Sequence, residues 1–268
     1  MKHYILTRFA SWDYLENGQI FTKEYLENSF NKLQLALLNT LKNQTTNNFT
    51  LIINIHDNIE KYKIQFLHNI NEKFNIKILR TSEISNFIKN DSQNEKLVIM
   101  SRIDIDDFLL NDIIERVQLE ISKCETDYIF CGLYNGATFT YNDKDVYFFP
   151  TPPYIKNNSG AFSVFMTIAC NNNKCKEYID ITLNKGLKTP LAYDHTQVFT
   201  FAKNLLETND TYTTLYIKNN EDEPLYLWTG YGNNGTTLKK IKNKSESIKW
   251  HKSSIKLDID FKKYMAIL

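Results

Sequence analysis

The chain has 268 residues, enough for one large or two small domains with a substantial core, and its 42% hydrophobic and 24% charged content is ordinary for a globular protein. A formal net charge of +1 lacks the basic excess of a dedicated nucleic-acid binder, so no nucleic-acid partner is expected. No run approaches the roughly 18 uninterrupted apolar residues of a membrane span. The opening MKHYILTRFASWDY has too short an apolar stretch and too early an Arg8 for a signal peptide, so a cytoplasmic location is expected. Cys124, Cys131, Cys170 and Cys175 form no CxxC pair; without an export signal they read as reduced, ordinary thiols.

Residues 3–9, HYILTRF, form a short apolar run ending in Thr7 and Arg8 and read as a first strand. Thr22 is placed to cap a helix whose Leu26, Phe30, Leu33, Leu37 and Leu41 share one face. After the turn NQTTNN, Phe49–Ile55 is a continuous apolar strand followed by His56 and Asp57. Ile59, Tyr62, Phe66, Ile70 and Phe74 predict a second amphipathic helix, and Ile76–Leu79 a third strand ending in Arg80. Leu97–Met100 reads as a buried strand, and Leu110, Ile113, Ile114, Val117 and Ile121 as a further helical face. Strands and helices thus alternate through residue 123, which predicts a mostly parallel sheet flanked by helices. In such sheets ligands sit at the carboxyl ends of the strands, where the polar residues of this half cluster.

The second half is richer in β-formers. Asp127–Leu133, Thr138–Phe149, Ala161–Ala169, Leu215–Ile217 and Leu225–Trp228 read as strands, and Pro150-Thr151-Pro152-Pro153 as a loop. Tyr193-Asp194-His195 opens a helix expected to run through Glu207, and the Gly-rich turn 231–235 follows the last strand. Between Lys239 and Lys263 nine lysines are interleaved with Trp250, Phe261 and Tyr264. That tail suits peripheral contact with a membrane surface, and equally a solvated tail that packs a few aromatics on the body. With no internal repeat and no clean linker, residues 1–268 are expected to form one domain.

The chemistry centres on Arg102-Ile103-Asp104-Ile105-Asp106-Asp107, directly after an apolar strand. Three carboxylates within four residues repel one another, and a divalent cation bound to a diphosphate would relieve them, since hard cations take carboxylate and phosphate oxygens. The alternative is a solvated acidic loop capping the next helix. Neither GxGxxG, GxxxxGK[ST] nor GxSxG occurs, which argues against a dinucleotide-binding oxidoreductase, a P-loop NTPase and the simplest serine hydrolase.

HYILTRF and the Arg-x-Asp-x-Asp-Asp turn resemble the rhamnosyltransferase family and, more broadly, glycosyltransferases of the GT-A (Rossmann-like) fold; the resemblance is strongest over 1–123. It implies a nucleotide-sugar-binding half (1–123), a more β-rich acceptor half (124–238) and the basic tail (239–268). It also implies a Mn²⁺ or Mg²⁺ cofactor, a nucleotide-sugar donor, possession of the DxD motif, and a glycan or lipid-linked acceptor on the inner face of a membrane. By resemblance Asp106 is the first metal ligand and Asp104 faces the nucleotide, while Asp107 supports the metal or caps the helix. Thr7, Arg8, Asp57, Arg80 and Arg102 would contact the donor. His195 would complete the metal site and Asp194 would be the catalytic base for an inverting transfer; the alternatives for that pair are a helix N-cap and an exposed first-turn residue. Ser159–Ser163 and the loop holding Trp228 and Tyr231 would contact an acceptor sugar or pack in the core. Two other readings use the same residues: a different metal-dependent α/β enzyme (nucleotidyltransferase or phosphodiesterase), and an inactive glycan-binding module.

Overall fold

A computed structural model describes residues 1–9, 22–55, 59, 61–134, 136–141, 146–151, 165–171, 206, 209–218 and 225–229. Strand β1 (Lys2–Arg8) lies between β2 (Thr50–Ile55) and β4 (Leu97–Arg102), parallel to both, and β3 (Asn75–Arg80) extends the parallel group past β2. On the other side β9 (Met166–Asn171) is inserted antiparallel between β4 and β6 (Tyr128–Leu133), and β10 (Tyr212–Ile217) pairs parallel to β6. The order is β10-β6-β9-β4-β1-β2-β3. This is the α/β, mostly parallel sheet flanked by helices that the sequence led us to expect. Its central strands are continuous apolar runs because both faces are covered.

Alternation along β1 and β4 divides the core in two. Ile5, Phe9 and Ile99 face a layer built from α1 (Lys23–Lys32), a π-helical turn (Leu33–Leu38), α2 (Asn39–Lys42), a 3₁₀ helix (Lys61–Asn69) and α4 (Ile113–Ser122). Tyr4, Leu6 and Met100 face Ile84 and Ile88 of α3 (Thr81–Asp91). Thr22 caps α1 as expected, accepting from the Tyr25 N–H at 3.1 Å. The π turn departs from the simple helix predicted. Five-residue spacing puts Leu33 and Leu38 on one side, so both bury along with Ala36 and Leu37. The segment 61–69 is likewise 3₁₀ and not α. Ile64, Leu67 and Ile70 recur every three residues, the period of a 3₁₀ helix, and Ile64 and Leu67 are buried.

A second, four-stranded sheet has the order β5-β11-β7-β8, from β5 (Phe108–Leu109), β11 (Tyr226–Thr229), β7 (Gly136–Tyr141) and β8 (Val146–Thr151). Pro150 and Thr151 belong to β8 and not to a loop; β8 is an edge strand, where a missing backbone donor is tolerated. The expected helix 193–207, the Gly-rich turn and the basic tail lie outside the described residues, apart from Leu206. Among the described residues no helix is long and apolar enough to cross a membrane. Cys124, Cys131 and Cys170 are free thiols, and burial pushes the Cys131 thiol up.

The core also holds a polar chain that sequence reading did not find. The Gln118 amide nitrogen donates to the Asn48 carbonyl (2.8 Å) and stands 3.1 Å from His3 Nδ1. The Asn48 contact identifies that Gln118 atom as the N–H₂, so Nδ1 must accept, which leaves Nε2 to donate to Ser101 Oγ at 2.8 Å. Ser101 in turn shares a 2.7 Å bond with Thr167. The imidazole is therefore neutral, and burial lowers its pKa from 6.5 to about 3. The unfolded chain takes up this proton below about 6.5 and the folded chain does not. Stability is thus lost as pH falls through the window from about 6.5 towards 3, at up to about 1.4 kcal/mol per pH unit. Urea denaturation of wild type and His3→Gln at pH 7, 5.5 and 4.5 should show the variant less stable at pH 7 but with a clearly shallower acid dependence. Parallel pH profiles would remove His3 as the cause.

Candidate active site

The site follows from strand alternation at the carboxyl edge. Leu6 pairs with Arg102, so Arg8, two residues beyond Leu6, lies on the same face as Arg102, and the chain continues from Arg102 to Asp104. The Arg8 guanidinium donates to Asp104 Oδ1 at 3.4 Å, and Arg102 donates to Asp104 Oδ1 and Oδ2 at 3.3 and 3.5 Å. Arg102 is only 3% exposed. Burial pulls its pKa below the ordinary arginine value; the Asp104 carboxylate opposes this, the Arg8 charge adds to it, and Asp107 opposes it again. Asp107 is 1% exposed, whereas Asp106 is half-buried.

Asp104–Asp107 is a tight turn closed by the Asp107 N–H on the Asp104 carbonyl at 3.3 Å. Upstream, the Ile103 N–H donates to the Leu6 carbonyl at 3.1 Å, extending the β1–β4 ladder into the turn. Downstream, Phe108 and Leu109 form β5 against β11, and the Leu110 N–H donates to the Leu225 carbonyl at 3.0 Å. Helix α4 begins only at Ile113, with Asp112 at its N-cap, so Asp107 stands too early to cap it, contrary to that expectation. The capping group is Gln44, whose Oε1 accepts from the Ile114 N–H (3.1 Å) while its N–H₂ donates to the Leu110 carbonyl (2.7 Å). The neighbouring Thr45 N–H donates to the Asn111 carbonyl at 2.7 Å. Sequence gave no signal for Gln44, because its partners lie some 70 positions away.

The other predicted residues divide. Thr7 is fully buried on the face opposite Arg8, and its hydroxyl has no hydrogen-bond partner among the described residues, so it presents no surface to a ligand. Arg80 lies two strands from β1, about 10 Å at ordinary strand spacing. Its guanidinium donates to the Ile59 carbonyl at 2.9 Å, and its N–H to Glu83 at 2.8 Å, so it braces the segment after β2 and the start of α3. Asp57, Asp194 and His195 lie outside the described residues, as do Ser159–Ser163 and Tyr231. Among the described residues no three His, Cys, Asp or Glu side chains cluster to hold a metal ion by themselves.

A mostly parallel α/β sheet carries the Arg-x-Asp-x-Asp-Asp turn at its carboxyl edge. The family model described as "Putative rhamnosyl transferase" matches residues 15–178, more than half of the chain, and the protein belongs to that family. No match was found among curated proteins. Solved structures of similar shape include S. aureus TarS 1-349, at 13% identity and TM-score 0.43, covering 85% of this chain and 60% of that one. The same TarS fragment in complex with UDP gives 14% identity and TM-score 0.45, with 86% and 61% coverage. The 4-diphosphocytidyl-2C-methyl-D-erythritol synthase of Anaerococcus prevotii gives 13% and 0.40, with 80% and 86% coverage. The chain therefore spans about 60% of the TarS fragment's length, and these likenesses are too distant to bear on function.

Gln44→Ala removes the acceptor of one α4 N–H and the donor to Leu110 in one step. Chemical denaturation should show a loss of about 1–3 kcal/mol. Gln44→Glu keeps the acceptor but not the donor and should fall between the two; equal stability of all three proteins would remove Gln44 as the cap.

Proposed function

We propose that this glycosyltransferase is metal-dependent and moves a sugar from a nucleoside diphosphate donor to a hydroxyl of a glycan or lipid-linked acceptor. The family description makes rhamnose the first candidate sugar. The observation that carries the reading is the convergence of Arg8, Arg102 and the Asp104–Asp107 turn at the carboxyl edge of the parallel sheet. A partly exposed cation beside a carboxylate turn, with a second arginine buried behind it, suits a ligand that is itself an anion paired with a cation.

The donor set fits Mg²⁺ or Mn²⁺. Such ions are commonly held by one or two protein carboxylates and completed by substrate phosphates and water. Asp106, half-buried on the turn, would be the principal ligand, with Asp107 beneath it. When bound, the ion supplies neutralisation of the charge that develops on the diphosphate leaving group. The chain's own part is positional: the turn is held at both ends, and Arg8 adds a cation from β1. In the reaction the bond from the anomeric carbon to the diphosphate oxygen breaks and a bond to the acceptor oxygen forms. The acceptor proton passes to a base, for which Asp194 is our candidate, with His195 as a second metal ligand. A single in-line displacement would invert the anomeric centre.

A thermal-shift panel of UDP, GDP, ADP, CDP and dTDP, each with and without Mn²⁺, tests this reading. One nucleotide should stabilise the protein only with Mn²⁺, by about 2.7 kcal/mol at a hundredfold excess over its Kd. Asp106→Ala should abolish that shift while leaving the unliganded melting temperature nearly unchanged. No shift in the wild type, or an undiminished shift in Asp106→Ala, would sink the reading.

A further inference from the structure

We infer that Asp104 does not meet the donor directly but is a positioning residue, locked by the buried Arg102 so that it aims the Arg8 guanidinium at the donor diphosphate. This rests on the donor-binding reading above. Of the three side chains, Arg102 is sealed off, at 3% exposure, and its charge is costly unless compensated where it sits. Asp104 supplies that compensation through both carboxylate oxygens. The same Oδ1 also accepts from Arg8, which belongs to the neighbouring strand. Asp104 is thus shared between the sealed Arg102 and Arg8, and the Asp104 and Arg8 side chains are both partly exposed, at 27% and 23%.

The lengths are informative. At 3.3–3.5 Å all three contacts exceed the roughly 2.7–2.9 Å of a strong charge-assisted pair, and what separates the two arginines is burial, Arg102 being sealed and Arg8 partly exposed. A second anion can therefore share the Arg8 guanidinium, whose several N–H groups lie in one plane. Arg102, at 3% exposure, is sealed from such a ligand.

The sign of one substitution separates positioning from simple charge. If Asp104 acted only as a negative charge near Arg8, removing it would strengthen anion binding. If it orients Arg8, removing it weakens binding against that electrostatic trend. The probe is inorganic pyrophosphate without metal, titrated calorimetrically into the full chain as wild type, Arg8→Ala, Asp104→Asn and the double variant. Circular dichroism melts serve as the folding control. Asp104→Asn should weaken pyrophosphate by about tenfold, the loss of one charge-assisted orientation, and should add nothing in the Arg8→Ala background. Arg102→Lys keeps the buried charge but loses the planar fork, and should weaken binding in the same Arg8-dependent way even if Asp104→Asn proves too unstable to measure.

Tighter or unchanged binding by Asp104→Asn, additive losses in the double variant, or no pyrophosphate binding by the wild type would each overturn the inference. Arg8-dependent pyrophosphate binding in a protein that no nucleoside diphosphate stabilises would instead leave it standing and remove the donor reading.

Discussion

Because β1 and β4 pair in parallel with Leu6 opposite Arg102, every charged group of the candidate site has its place set by a backbone register. A slip of one residue would turn Arg102 towards Ile99 and Ile103 in the apolar layer under the helices, and would carry Asp104 away from Arg8. The opposite face of the same two strands guards against that slip. His3 and Ser101 are joined there at 2.8 Å, and Gln118 and Thr167 extend the bond to α4 and β9. A buried, fully used imidazole is costly to leave unsatisfied, so the polar chain beneath the sheet specifies the register on which the arginines above it depend.

The acidic turn is held downstream by parts of the chain distant in sequence. Gln44 and Thr45 grip residues 110–114 from the helical layer, and Leu225 with β11 grips 108–110 from the second sheet. Both halves of the chain therefore meet on the few residues that follow Asp107. A turn fixed this way leaves its carboxylates little backbone freedom, and preorganisation of this kind lets charged groups act on a ligand without first being rearranged. It also gives the second half of the chain a mechanical path to the turn, through β5 and β11.

Much of the first half was legible because its signals are local. Apolar runs at 3–9, 49–55 and 97–100 bury on both faces, Thr22 sits one residue before its helix, and polar residues mark the strand ends. The misses share one physical cause, which is that the deciding contact is remote. The π turn and the 3₁₀ helix depend on which leucines and isoleucines the sheet can bury, a choice that local periodicity does not encode. Gln44 and the His3 chain consist of bonds spanning 66 to 115 positions. Thr7 and Arg8 looked equivalent at the end of one strand, but alternation buried the first and turned the second towards Asp104. Pro150 read as a breaker because nothing local indicates that its strand is an edge.

The crowded carboxylates pointed from the start to a positive partner, and the chain itself supplies part of it. Arg102 offsets Asp104 through direct bonds and Asp107 through its field, and Arg8 adds a second contact to Asp104. Asp106 is the third acid of the turn and, like Asp104, is half-buried, and on the proposed reading it is the principal ligand of the external cation. One principal protein carboxylate is a weak site for a hard, reluctantly dehydrated ion unless a phosphate completes the coordination. On the proposed reading, ion and nucleotide would each raise the other's affinity by the same factor, as linkage requires. On that reading, burying an arginine behind the acidic turn would do more than balance charge: it would leave the metal site dependent on the substrate that the metal serves.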